Sequence, residues 1–281
     1  MLVPLAGGGQ ETLLSEVGFA LLPLFSTADA CALRLVCREF LAAVTEHPWE
    51  DRGTVIQGSI AAWRACFPRA RCANVARHSF MGEEVRSAPV VDADFAHFEG
   101  LRELNMTPCV DVTDAAFAHL RGIHSLEMAG CQFLTDAALA HLAGIQRLGV
   151  TACRGITDAA FVHMRGIQLL SIMFCSQLTD AAFVHLRGIK CLIMHSCNQP
   201  AITDAAFVHL RGIRALVMEG CDQDTITGAT LSSLAGIEVL LTNNCSEDVD
   251  SAKQALGLAA LDGRAPFLFY PWGLMPGRSP G

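Results

Sequence analysis

Residues 135–156 read TDAALAHLAGIQRLGVTACRGI, and residues 157–178 read TDAAFVHMRGIQLLSIMFCSQL. The second stretch is the first written again 22 residues later, with Thr157 on Thr135, Gly166 on Gly144 and Cys175 on Cys153. Working outward, Thr-Asp-Ala-Ala-Phe or its Leu variant starts at Thr113, Thr135, Thr157, Thr179 and Thr203, with spacings of 22, 22, 22 and 24. A degenerate copy starts at Thr227, and Val91 opens an earlier one. Cys109, Cys131, Cys153, Cys175, Cys197, Cys221 and Cys245 keep the same period. A period in this range is the mark of a stacked repeat array.

Each copy has two halves. The first holds apolar residues spaced as in Leu101, Leu104, Met106 or Ile123, Leu126, Met128. Its last two apolar places flank one variable residue, which predicts a short strand with one face buried. In the second half, Thr suits a helix N-cap and the following Asp suits the first turn. Phe117 and Leu120 predict an inward stripe, and Gly122 a left-handed stop. The unit reads strand, turn, helix, turn, and it buries its apolar side only by stacking on its neighbours.

Composition narrows the classes. The chain is 52% hydrophobic and 17% charged, with a net charge of −8. The longest run without Asp, Glu, Lys or Arg is 14 residues, Gly166 to Thr179, against roughly 20 for a spanning helix. No membrane partner is expected. An acidic chain has no basic surplus with which to displace counterions from phosphates, so no nucleic-acid partner is expected either. The start of the chain has no basic region ahead of an apolar one, and its twelve cysteines point to a reducing compartment rather than to a disulfide scaffold.

The pattern Leu-x-x-Leu-x-Leu-x-x-Cys-x-x-Ile/Leu-Thr-Asp over residues 90–245 resembles the cysteine-containing leucine-rich repeats. The resemblance implies an α/β solenoid with parallel strands on the concave side and helices on the convex side. Ahead of it, Leu13, Glu16, Leu21, Phe25, Asp29, Leu33, Leu35, Val36, Cys37, Arg38, Phe40 and Trp49 fit the F-box pattern in order. That segment, 11–50, is similar to a small three-helix F-box, with a helix start at Ser26-Thr27-Ala28-Asp29. Two departures stand out: Leu14 replaces a Pro, and Gly18 sits inside the first helix. Residues 1–10 read as a flexible tail. Residues 51–89 read as a linker and atypical first repeat, and 246–281 as a cap helix over 247–261 followed by a Pro/Gly-rich tail.

F-box and leucine-rich repeats together resemble the substrate receptors of SCF ubiquitin ligases. The resemblance implies a non-catalytic adaptor, monomeric outside the complex, cytoplasmic or nuclear, with a Skp-type adaptor, a cullin scaffold and a protein target as partners. Adaptor docking falls to Leu13, Leu14, Glu16, Val17, Leu21, Leu24, Phe25, Leu35 and Val36. Some of these pack the helices and the rest meet the adaptor. The alternative is an interaction scaffold or decoy with a degenerate box. The concave side is polar or small in the early repeats and apolar later. The target surface is therefore placed at Leu169, Ser171, Met173, Phe174, Cys191, Ile193, Val217 and Leu241, exposed as a patch, with His195, Glu219 and Asn243 beside it. A competing assignment has Phe267, Phe269, Tyr270 and Trp272 of the tail covering it.

No cofactor, metal or catalytic residue is expected. The histidines at 97, 119, 141, 163, 185 and 209 fall on successive helices whose axes lie about 8–10 Å apart, too far for two nitrogens within roughly 2.1 Å of one zinc. The aspartates at 114, 136, 158, 180 and 204 are explained as helix starts, and the repeated cysteine as a small buried thiol bonded to backbone. Gly-x-Ser-x-Gly and phosphate-cradling Gly-rich signatures are absent.

Overall fold

The computed structural model describes residues 21–76, 89–108 and 111–257. Eight strands form one all-parallel sheet in strict chain order. They are β1 (Cys72–Asn74), β2 (Glu103–Asn105), β3 (Ser125–Ala129), β4 (Arg147–Thr151), β5 (Leu169–Ser171), β6 (Cys191–Ile193), β7 (Ala215–Val217) and β8 (Val239–Leu241). The register stacks Leu104, Leu126, Leu148, Leu170, Leu192, Leu216 and Leu240 into one buried column. Phe95, Phe117, Phe161, Phe183 and Phe207 form a second column from the helical side, with Phe95 and Phe117 stacked at 6.0 Å. Side chains alternate across each strand, so Leu126 and Met128 enter this core while Ser125, Glu127 and Ala129 lie on the opposite, strand face.

The helix expected from Thr-Asp-Ala-Ala shrinks to a turn or two. Asp92–Phe98, Asp114–Leu120, Asp158–His163 and Leu231–Leu234 are 3-10 helices. Asp136–Ala140, Asp180–Phe183 and Asp204–Phe207 are short α-helices. The bonds run three residues back, as from Ala160 N–H to the Thr157 carbonyl at 3.2 Å. A coil of 22–24 residues that also makes a strand and two corners has no room for more. One corner is the predicted glycine, left-handed at Gly144 and Gly166 (φ +88° and +83°). The other precedes the cysteine and is left-handed even at Ala152, Phe174, Ser196 and Asn244.

The aspartates sit in the first turn of their own helices, as expected, and each carboxylate in addition reaches the next repeat. Asp136 accepts from Thr157 N–H at 2.7 Å and Thr157 Oγ1 at 2.6 Å. Asp92, Asp114, Asp158, Asp180 and Asp204 do the same for Thr113, Thr135, Thr179, Thr203 and Thr227. In the 24-residue units the two added residues bring in Gln199 and Gln223, whose amides donate to the Cys175 and Cys197 carbonyls at 2.8 and 3.0 Å.

The N-terminal module has a 3-10 turn at Leu22–Leu24, α1 (Thr27–Leu33) and α2 (Arg38–Glu46). Ser26 and Asp29 make a capping box at the predicted start of α1. Trp49 is buried, donates to the Val44 carbonyl at 2.8 Å and meets Phe67 edge-on. Helix α3 (Ile60–Cys66) leads into β1. At the other end α7 (Glu247–Ala255), numbered after α4–α6 (Asp136–Ala140, Asp180–Phe183, Asp204–Phe207), buries Val249 against the last repeat. It stops six residues short of the expected Leu261, and residues 258–281, including Phe267, Phe269, Tyr270 and Trp272, lie outside the described residues.

Candidate functional site

Two surfaces emerge. On the N-terminal module, Leu22, Ala30, Ala43, Val44 and Trp49 are buried, while Leu21, Leu24, Phe25, Leu35 and Val36 are exposed. Leu24 reaches 79% and Leu35 88%. The sequence leaves open which apolar residues pack the module and which face outward; the structure separates them. Leu13, Leu14, Glu16 and Val17 lie outside the described residues.

The second surface is the strand face, and it is divided. Toward its C-terminal half, Cys191, Ala215 and Val239 stand in register, as do Ile193, Val217 and Leu241. They form an apolar cluster separate from the main core, joined by half-buried Leu169 and Met173. Here the structure corrects the expectation of an exposed patch: Ile193 is 1% exposed and Leu241 2%, and Cys191, Val217 and Ser171 are also buried. In-register parallel strands about 4.8 Å apart set these side chains against one another. What remains accessible is Phe174 on its left-handed corner, edge-on to His195 at 5.7 Å, and Asn243, whose amide donates to Glu219.

The N-terminal half is polar. Glu103, 5% exposed, accepts from Arg52 Nε and Nη2 at 2.6 and 2.7 Å and from Arg147 at 3.3 Å. Burial alone would raise its carboxyl, but these two guanidinium groups hold it below the ordinary range. One strand on, Glu127 is half-buried with its Oε2 shielded from solvent and unbonded, and burial pushes it up to about 8. Sequence reading placed Glu127 among the variable strand-face positions without a role and passed over Glu103. Their only local signal was a charge at a strand position; their partners are 51 and 44 residues from Glu103, and only the register brings them together.

The repeated thiols are structural. Cys175, Cys197, Cys221 and Cys245 donate to the carbonyls of Val150, Ile172, Met194 and Met218 at 3.0–3.1 Å. Burial pushes Cys175 and Cys221 up to about 12. The histidine column is half-buried, with His119 Nδ1 2.6 Å from Glu99. Among the described residues no group of three His, Cys, Asp or Glu could hold a metal ion, and no helix is long and apolar enough to cross a membrane.

No family model and no curated protein matches the chain. Among solved structures it is similar to the TLR13–ssRNA13 complex, at 15% identity over 70% of this chain and 29% of that one, with a TM-score of 0.50. It is also similar to the Rad7 and Elc1 complex of yeast, at 17% identity over 54% and 44% of the two chains with a TM-score of 0.43. The Toll–Spatzle complex of Drosophila gives 15%, 66%, 36% and 0.39 in the same terms. The chain spans less than half the length of each. At such identities the likeness speaks of fold, and with the all-parallel sheet in chain order it gives one conclusion: the chain folds as an α/β leucine-rich-repeat solenoid.

Proposed function

We propose that the chain is the non-catalytic substrate-recognition adaptor of an SCF-type E3 ubiquitin ligase. In this reading the N-terminal module docks a Skp-type adaptor on its cullin scaffold, and the strand face of the solenoid holds the target protein. The observation that carries it is the outward apolar set Leu21, Leu24, Phe25, Leu35 and Val36, on a module whose inner set is already packed. Five large apolar side chains left in water on one small module support a contact surface. Leu13, Leu14, Glu16 and Val17 are assigned to the same docking on the F-box pattern alone. The chain then works by effective concentration: it holds a target lysine near the charged conjugating enzyme and needs no reacting group of its own. This role belongs in the cytoplasm or nucleus.

The target surface is assigned to the accessible rim Phe174, His195, Glu219 and Asn243, with Leu169, Ser171, Met173, Cys191, Ile193, Val217 and Leu241 supporting it from below. A pull-down of the full chain with a Skp-type adaptor tests the docking. Wild type should capture the adaptor, and Leu35→Asp with Val36→Asp should abolish capture without lowering the melting temperature, because both side chains stand in water. Failure of the wild type to capture the adaptor would replace the ligase reading with that of an interaction scaffold bearing a degenerate box.

A further inference from the structure

Seven buried side-chain polar atoms lack a hydrogen-bond partner among the described residues, and four of them belong to the strand face between β2 and β5: Thr107 Oγ1, Ser125 Oγ, Glu127 Oε2 and Ser171 Oγ. Ser125 and Ser171 are 0% and 1% exposed. Glu127 faces Asn105 across β2 and Gly149 across β4, and Gly149 in turn faces Ser171 on β5. Its carboxylate lies over Gly149, where an added Cβ would collide with it. A missing side chain at 149 therefore makes the recess in which the acid sits. Buried polar atoms are nearly always paired, so the orphaned carboxylate oxygen of Glu127 marks a place where a partner is missing.

We propose that this recess receives an arginine side chain of the target protein, with the Glu127 carboxylate as its acceptor. This rests on reading the strand face as the target-binding surface. Among the described residues no cation is bonded to the shielded Glu127 Oε2. The two arginines on this face, Arg52 and Arg147, are both bound to Glu103, and the ionisable group felt most by Glu127 is the Cys153 thiol, which disfavours its charge. Asn105 and Gly149, which face it from the adjoining strands, carry no charge. A guanidinium brings five donors in a planar fork that matches a carboxylate bidentately, as Arg52 does on Glu103, and a single ammonium does not. Burial without a partner keeps the Glu127 carboxyl protonated at neutral pH, so an arriving guanidinium must displace that proton. Binding and proton release are reciprocal.

The test uses the full chain and the peptide acetyl-Gly-Arg-Gly-amide, with its neutral citrulline counterpart as reference. Carbon-13 NMR follows the Glu127 carboxyl through a pH titration. The expected result is binding of the arginine peptide at least about tenfold tighter than citrulline (1.4 kcal/mol per tenfold), loss of that difference in Glu127→Gln, and a downward move of the Glu127 midpoint on adding peptide. Equal binding of the two peptides, an unmoved midpoint, or equal binding of spermidine would overturn the arginine assignment. The midpoint is read on the wild type, so the result stands whatever the variant does. The adaptor pull-down separates the two ideas. Adaptor captured with no arginine effect removes this site alone, and an arginine effect with no adaptor captured removes the ligase role alone.

Discussion

Asp136 and Thr157 sit one repeat apart and share two hydrogen bonds, 2.7 Å from the Thr157 amide and 2.6 Å from its hydroxyl. The pair satisfies a helix-start amide from outside its own unit. It thereby joins consecutive coils at their convex edge, just as the strand bonds join them on the other side. Hydrogen bonds to a charged group contribute about 1.5–3 kcal/mol each, and less where water competes. Asp136→Ala should therefore cost about 2 kcal/mol in urea unfolding, while Asp224→Ala, in an exposed loop, should stay within about 0.5 kcal/mol. Equal costs would remove the ladder from the account of stability.

The two strand-face acids should respond to pH in opposite directions. Glu103 is held below its ordinary 4.5, so its contribution is present above about pH 4.5 and is lost as pH falls through its folded value. Glu127 is raised to about 8, so its contribution is full below 4.5 and is lost as pH rises through 8. Between pH 5 and 8, wild type should lose up to about 3 kcal/mol relative to Glu127→Gln, measured by denaturant unfolding at each pH. A pH-independent difference would contradict the burial of that carboxyl.

Glu103→Ala should strand Arg52 and Arg147 together on the strand face. Removing one partner of a fully buried pair costs about 3–5 kcal/mol; with Arg52 half exposed, about 2 kcal/mol is expected. Because Arg52 follows the N-terminal module, proteolysis near residues 50–56 should also accelerate. An unchanged cleavage pattern would mean that the module is held by Trp49 and Phe67 alone.

Ala152 holds a left-handed backbone (φ 54°) at a corner where Gly130 and Gly220 occupy the equivalent places. A Cβ in that region costs about 1–2 kcal/mol, partly offset by the flexibility glycine adds to the unfolded chain. Ala152→Gly should stabilise by about 0.5–1 kcal/mol, read as a rise in the thermal midpoint.

Site-resolved alkylation of the native protein should label exposed Cys31 and Cys37 first, Cys66 and Cys245 slowly, and leave Cys72, Cys131, Cys153, Cys175, Cys191, Cys197 and Cys221 silent. Thiolate is the reactive form, and the high values at Cys175 and Cys221 add to their burial. Fast labelling at Cys175 would contradict its bond to the Val150 carbonyl.

Whatever depends on the period was legible in the sequence. The alternation around Leu126 and Met128 identified the core face, Gly144 and Gly166 the corners, and Ser26 the start of α1. Each of those residues acts within a few positions of itself. What failed depends on distance across coils. The Asp136 carboxylate looked committed to its own turn because its partner is 21 residues away. The burial of Ile193 and Leu241 required knowing that they stand beside Val217 in register. Glu127 was one variable residue among many until Gly149 was set opposite it.

The Asp-to-Thr joint also bears on how such a chain changes length. Donor and acceptor hold the same addresses in the units that start at Thr113, Thr135, Thr157, Thr179 and Thr203, so the exit edge of one of these coils fits the entry edge of another. Misaligned recombination that adds or deletes one whole 22-residue unit creates a seam with every hydrogen-bonding group already matched. A cut out of phase strands an acid on one side and a hydroxyl on the other, so the array lengthens and shortens in whole units.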